Sequence, residues 1–171
     1  MEKQKNIALI DGQNLHLGTA SDWWYVDLYK FRVYLRDKFN VVDAYYFLGC
    51  INDEETDLYD SLQKAWFIVS FREHSSAMIG KKKGNVDVDI VFEAMKKLVL
   101  KEEFDQFVLV SWDGDYFKMV KFLIKVWRFR NILFPNKKYS SLYNSIRSLF
   151  GVNIWVADIR RKIEYTKKEV S

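Results

Sequence analysis

Phe107–Tyr116 reads Phe-Val-Leu-Val-Ser-Trp-Asp-Gly-Asp-Tyr. Its first four residues are apolar without alternation, the pattern of a short strand buried on both faces. Ser111 ends the run, Asp113 and Asp115 flank Gly114, and a helical pattern opens at Tyr116. A buried strand thus delivers two carboxylates to a strand–helix turn. Ligands of open α/β sheets bind at the carboxyl ends of the strands. Two anions held this close repel, and a cation between them relieves the repulsion.

The same grammar continues outward. Asn6–Ile10 is a short apolar run ending in Asp11, followed by the turn formers Gly12 and Asn14. Asp27 caps a helix to about Phe39, with Leu28, Phe31, Tyr34 and Leu35 as its apolar stripe. Val41–Leu48 reads as a strand. The acidic stretch Asp53–Asp60 opens a helix to about Phe67, and Ile68–His74 reads as a further strand. Ser75–Asn85 is a polar loop carrying Lys81, Lys82 and Lys83. Val86–Leu100 is the clearest helix, with Val88, Phe92, Met95 and Val99 at helical spacing. Asp87 and Asp89 in its first turn point to roughly opposite sides, so at most one faces a shared cleft. A helix Tyr116–Trp127, a strand Arg130–Phe134 stopped by Pro135, a helix Ser140–Phe150, a strand Val152–Val156 and a basic segment from Asp158 complete the chain. Strands alternating with helices imply a mainly parallel sheet covered on both faces.

Composition sets the bounds. At 171 residues the expectation is one domain over 1–171. A 49% hydrophobic content supports a sizeable core, and 17% aromatic residues require rings to fill much of it. The lone Cys50 provides neither a disulfide framework nor zinc spacing and reads as a small buried hydrophobe. No apolar stretch approaches a membrane span or a signal core, so a cytoplasmic protein without membrane contact is expected. A homo-oligomer is compatible with the sequence. From Lys118 to Ser171 there are 13 Lys and Arg against 3 Asp and Glu, whereas Met1–Phe117 has 14 against 20. An acidic portion joined to a basic one suits a polyanion held beside a metal; a solvated basic surface is the plainer alternative.

Taken singly, Asp87, Asp113 and Asp115 are helix-start residues that cap and complement the helix dipole. Their coincidence with Asp11 is the stronger signal. Asp11 and Asp113 end two strands, Asp87 opens a helix, and a parallel sheet brings such positions to one edge. Hard oxygen donors of this kind suit Mg²⁺ or Mn²⁺ rather than zinc. Other chemistries find no support. There is no Gly-x-Gly-x-x-Gly, no phosphate-binding Gly-x-x-x-x-Gly-Lys-Ser/Thr, and no nucleophile elbow around Ser111. His16 and His74 lack ligand partners at useful spacing.

Three blocks resemble the NYN domain, a branch of the PIN-like metal-dependent ribonucleases with LabA-like members. Ile7–Leu17 (Ile-Ala-Leu-Ile-Asp-Gly-Gln-Asn-Leu-His-Leu) is similar to the family's opening strand and Asp-Gly-x-Asn turn. Lys83–Asp87 (Lys-Gly-Asn-Val-Asp) is similar to its Lys-Gly-x-Asp block, with one extra residue before the aspartate. Leu109–Tyr116 is similar to its Val-Ser-Gly-Asp-x-Asp-Phe block, with Trp112 in place of Gly and Tyr116 in place of Phe. The likeness covers nearly the whole chain and is weakest past Pro135.

The resemblance implies a three-layer α/β/α sandwich of the PIN-like, Rossmannoid class. It implies that Asp11, Asp87, Asp113 and Asp115 form the catalytic metal site for Mg²⁺ or Mn²⁺, with Asp89 as a secondary acidic candidate. Asn14 is expected to steady the first turn or a bound water. Lys81, Lys82, Lys83 and the basic C-terminal half are expected to hold the RNA backbone, and Trp112 to pack, stack on a base or block the cleft. The implied activity is metal-assisted hydrolysis of phosphodiester bonds in single-stranded RNA. The alternative is a nucleic-acid-binding or assembly module of the same fold with a weak or inactive site. A phospho-acceptor signalling domain also gathers aspartates at strand ends, but the resemblance does not support it.

Overall fold

The computed structural model describes residues 4–49, 51, 53–72 and 86–166. Among them six strands form one sheet: β1 (Asn6–Asp11), β2 (Val41–Leu48), β3 (Ile68–Phe71), β4 (Phe107–Val110), β5 (Phe129–Phe134) and β6 (Gly151–Asn153). Their order is β3-β2-β1-β4-β5-β6, and every neighbouring pair is parallel. The helices are α1 (Gly12–Ala20), α2 (Leu28–Phe39), α3 (Thr56–Lys64), α4 (Asp87–Val99), α5 (Phe117–Lys125), α6 (Arg147–Phe150) and α7 (Ala157–Ile163). No helix among the described residues is long and apolar enough to cross a membrane.

The alternation of side chains along β1 and β4 builds two cores. Ala8, Ile10, Val108 and Val110 face a layer with Leu15 of α1, Phe31 and Leu35 of α2, Leu62 of α3 and Ile163 of α7. Ile7, Leu9, Phe107 and Leu109 face a layer with Ile90 and Ala94 of α4 and Val120 and Leu123 of α5. All six residues of β1 and all four of β4 are buried, which is why their sequences run apolar without alternation.

The strand order places β1 and β4 side by side at the sheet's centre. From β1 the chain winds outward one way, through β2 and β3; from β4 it winds the other way, through β5 and β6. The two loops leaving β1 and β4 therefore diverge and leave a crevice between them at the carboxyl edge. Asp11 lies at the end of β1 and Asp113 just beyond β4.

Several expectations need correction. Gly12 and Asn14 do not form a simple turn, because Asp11 caps α1 directly and the helix begins at Gly12. The Val88, Phe92 and Val99 stripe of α4 faces outward, at 70%, 64% and 77% exposure. The face on the sheet instead carries Asp87, Ile90, Ala94 and Lys97, and a small residue such as Ala94 lets the helix lie close. The buried Lys97 ammonium bonds Glu102 at 2.7 Å and the Tyr45 hydroxyl at 2.9 Å. The stretch from Ser140 to Phe150 is a 3₁₀ turn over Ser141–Ser145 followed by the short α6. Strand β6 ends at Asn153, and the basic segment after Asp158 is helical as far as Ile163 and is docked. Asp27 N–H donates to the Ile163 carbonyl at 2.8 Å, and Tyr165 N–H to that of Tyr25 at 2.8 Å. Cys50, His74 and the loop Ser75–Asn85 with Lys81, Lys82 and Lys83 lie outside the described residues.

Three helices end in an unusual way. Trp23, Trp66 and Trp127 have φ of 59°, 63° and 60° and are 91%, 77% and 84% exposed. Each occupies the left-handed position of a Schellman motif. For α5, Trp127 N–H donates to the Ile124 carbonyl at 3.1 Å and Arg128 N–H to that of Leu123 at 2.8 Å. Glycine is the usual occupant there because its lack of Cβ removes the left-handed penalty.

Candidate metal centre

Asp11 closes β1 in extended conformation and accepts the Asn14 N–H on Oδ1 at 2.9 Å. Gly12 is required next to it: a Cβ there would stand 2.4 Å from the Tyr46 ring and 2.8 Å from the Phe47 carbonyl of β2. The Asn14 side-chain oxygen reaches across to the β4 turn. It accepts the Ser111 hydroxyl at 2.8 Å and the Trp112 N–H at 3.1 Å. Ser111 in turn accepts the Asp113 N–H at 3.0 Å. Asn14 and Ser111 thus lock together the two turns that carry Asp11 and Asp113.

After Ser111 the chain makes a short helical turn capped by Asp113, whose Oδ1 accepts the Asp115 N–H at 2.9 Å. The buried Tyr143 hydroxyl donates to the Asp113 carbonyl, and Ser140 N–H donates to the Trp112 carbonyl at 3.0 Å. Gly114 fits because a Cβ there would meet the Ser140 hydroxyl at 2.5 Å. Asp87, at the first position of α4, is 8% exposed.

Asp87, Asp113 and Asp115 each offer one carboxylate oxygen, and the three lie within 4.8 Å of one another. Asp11 joins them through a tyrosine. The fully buried Tyr116 hydroxyl lies 2.9 Å from Asp11 Oδ2 and 2.6 Å from Asp87 Oδ1. It has one proton and donates to one carboxylate at a time. Asp89 stands apart from the trio, and its Oδ2 is buried without a hydrogen-bond partner among the described residues. Trp112 is half-buried, and its ring lies over α1, where a Cβ on Gly18 would come within 3.0 Å of it.

The electrostatics follow from the crowding. Burial pushes the Asp11 carboxyl up to about 6, the Asn14 N–H and the Tyr116 hydroxyl pull it back, and the charges of Asp87 and Asp113 raise it further. Burial, and then the neighbouring Asp11 and Asp87, holds Tyr116 protonated far above the ordinary phenol range. Tyr143 moves the same way, through burial and the charges of Asp113, Asp115 and Asp87. The donor set is all carboxylate, hard, crowded and partly desolvated. Those are the properties a site for a hard divalent cation needs.

Tyr116, Tyr143 and Ser111 had no place in the site read from the sequence. Tyr116 had a visible signal, being three residues past the cap Asp113 and so on the same side of a helical turn. Tyr143 had none, since its contact depends on how the chain after Pro135 folds back.

Residues 6–141 match the model of the NYN domain. The chain is 24% identical over 123 residues to the "Low amplitude and bright protein LabA" of Synechococcus elongatus, covering 67% of this chain and 64% of that protein. The chain thus spans less than two thirds of the length of this curated relative. A crystal structure of a protein of unknown function from Vibrio parahaemolyticus superposes with a TM-score of 0.72 at 17% identity, covering 96% of this chain and 100% of that one. That likeness concerns the fold.

Proposed function

The chain belongs to the NYN domain family, and from that premise we propose that it is a divalent-metal-dependent nuclease that hydrolyses single-stranded RNA. The family has a PIN-like nuclease fold, and its members commonly use divalent metals. One observation carries the reading. Three carboxylates, Asp87 from the start of α4 and Asp113 and Asp115 from the turn after β4, converge within 4.8 Å.

Asp87, Asp113 and Asp115 are the residues that would hold the ion, with Asp11 behind them as the fourth acid. When bound, the ion acidifies a water and stabilises charge on the scissile phosphate. The chain's own residues do the rest. Asn14 and Ser111 fix the spacing of the two acidic turns. Lys137 and Lys138, exposed on the loop that leaves β5 at the same sheet edge, attract the phosphate backbone, as does Lys118 in the first turn of α5. Trp112, held against α1 but partly exposed, offers ring surface for a base. We read residues 1–171 as one unit, whose C-terminal helix closes on α2.

The test is cleavage of end-labelled single-stranded RNA by the purified chain with Mn²⁺ or Mg²⁺, beside EDTA and Asp113→Asn controls. Cleavage confined to the ion-loaded wild type supports the reading. Cleavage that survives in EDTA or in Asp113→Asn refutes it. The buried Tyr116 hydroxyl amid the acids favours a second reading, a binding or assembly module with a weak site. RNA retention without cleavage in Mn²⁺ would identify that.

A further inference from the structure

Helix α4 is apolar on two opposite sides. One side, with Ile90 and Ala94, lies on the sheet. The other carries Val88, Phe92, Met95 and Val99. Val88, Phe92 and Val99 are exposed, and Met95 is half-buried. A surface helix ordinarily turns charge to water, and α5 in the same layer does so with the exposed Lys118, Lys121 and Lys125. A helix that is apolar all round is normally buried all round.

The four residues of the outer stripe are spaced four, three and four apart. That is the heptad spacing by which one helix seats its side chains between those of another. Asp89 and Lys96 stand seven residues apart, so they share one flank of the stripe and put opposite charges at its two ends. Asp89 Oδ2 has no hydrogen-bond partner among the described residues. Lys96 pairs with Glu93 at 2.5 Å, and its side chain remains 39% exposed.

We propose that the outer face of α4 is a self-association surface, on which a second copy of this chain lays its own α4 antiparallel. A two-fold axis that crosses the helix between Glu93 and Ala94 sets Val88 opposite the partner's Val99 and Phe92 opposite the partner's Met95. It also brings Asp89 to within about 3 Å of the partner's Lys96 along the helix direction, and Lys96 as close to the partner's Asp89. Both encounters are attractive, and the patch is complementary to itself, as an isologous interface requires. A parallel pair instead sets Asp89 level with Asp89 and Lys96 level with Lys96. A foreign helix would have to match an acid and a base at these two places; a copy of the chain supplies both by symmetry. The seam is one helix of 13 residues wide, which places the pair among the small, transient interfaces.

Sedimentation velocity of the full chain at about 1 µM and about 100 µM brackets the affinity of such an interface. The chain is expected to be a monomer at the lower concentration and a dimer at the higher. Phe92→Glu, which puts a carboxylate at the middle of the seam, is expected to weaken association about tenfold or more. Its melting temperature at the lower concentration should match the wild type, because an exposed ring adds little to the monomer. Should Phe92→Glu not fold, Val99→Glu takes its place with the same expectation. Lys96→Glu opposes the partner's Asp89 with a like charge and is expected to weaken association about threefold or more. Adding Asp89→Asn removes one charge of each opposed pair and should recover most of that loss. A monomer at the higher concentration overturns the proposal and leaves the stripe to a different partner. A dimer indifferent to the stripe substitutions overturns it too, by placing the interface elsewhere. So does a Lys96→Glu loss that Asp89→Asn leaves unrecovered, since the antiparallel register requires those two residues to meet.

Discussion

Asn14 and Ser111 are 97 residues apart in the chain, yet the side-chain oxygen of one accepts the hydroxyl of the other at 2.8 Å. The same oxygen holds the Trp112 N–H at 3.1 Å. With the Tyr116 hydroxyl, which lies 2.9 Å from Asp11 Oδ2, this clasp joins the turn after β1 to the turn after β4. Asn14→Ala leaves a fully buried hydroxyl and a backbone N–H without their acceptor. Urea denaturation should show a loss of about 1–3 kcal/mol. Mn²⁺ affinity should fall with it, because Asp11 and Asp113 lose their fixed separation.

Asp11 makes stability depend on pH in a defined direction. Its folded-state value of about 6 stands above the ordinary aspartate value of 3.8. The folded chain therefore holds the proton more tightly than the unfolded chain. The associated stability is fully present below the unfolded value and is lost as pH rises through about 6. Denaturation in EDTA at acidic and neutral pH should show the wild type losing about 2–3 kcal/mol relative to Asp11→Asn across that window. An unchanged difference between the two proteins would refute the shift.

Trp127 bears a left-handed backbone at 84% exposure, so its ring recovers little by packing. Trp127→Gly keeps both Schellman hydrogen bonds and removes the Cβ conflict. It should stabilise the protein by about 0.5–1 kcal/mol, the left-handed penalty less the extra freedom of glycine in the unfolded chain. Thermal melts of the single variant check this, and Trp66→Gly is the matched repeat.

Trp112 combines contact with α1 and partial exposure. Trp112→Ala should weaken single-stranded RNA binding by ~1–3 kcal/mol, the usual worth of one base–aromatic stack. Fluorescence anisotropy with a labelled oligonucleotide reads it. Unchanged affinity with a large drop in melting temperature would assign the ring to packing alone.

The legible parts of this chain were those set by local chemistry. The uninterrupted apolar runs Ile7–Ile10 and Phe107–Val110 marked the central strands, because only a doubly covered strand tolerates them. The start of α2 followed from the capping side chain of Asp27, and that of α4 near Val86 from the helical spacing that follows it. What stayed hidden depended on the third dimension. The spacing of Val88, Phe92 and Val99 marked a helix without saying that Ile90 and Ala94 would take the sheet. Helix α1 was masked by Gly12, whose presence reflects the closeness of Tyr46 rather than a turn. Asp11, Asp87 and Asp113 were legible as candidates by their positions, but the Tyr116 bridge between two of them was not. A tyrosine in a helix start looks the same whether its hydroxyl meets water or a buried acid.

The pairing of β1 with β4 has a consequence for synthesis and refolding. Asp11 leaves the ribosome about a hundred residues before Asp113, yet the two strands are immediate neighbours. At ordinary elongation rates of about 5–20 residues per second, the first strand waits several seconds for its partner. A nascent chain stalled before Ser111 has the first acidic turn but nothing to clasp it. Whatever chemistry the crevice performs is withheld until the longest-range joint in the sheet has closed. Ion uptake during refolding should therefore trail the formation of helices and report the moment at which the two halves of the sheet meet.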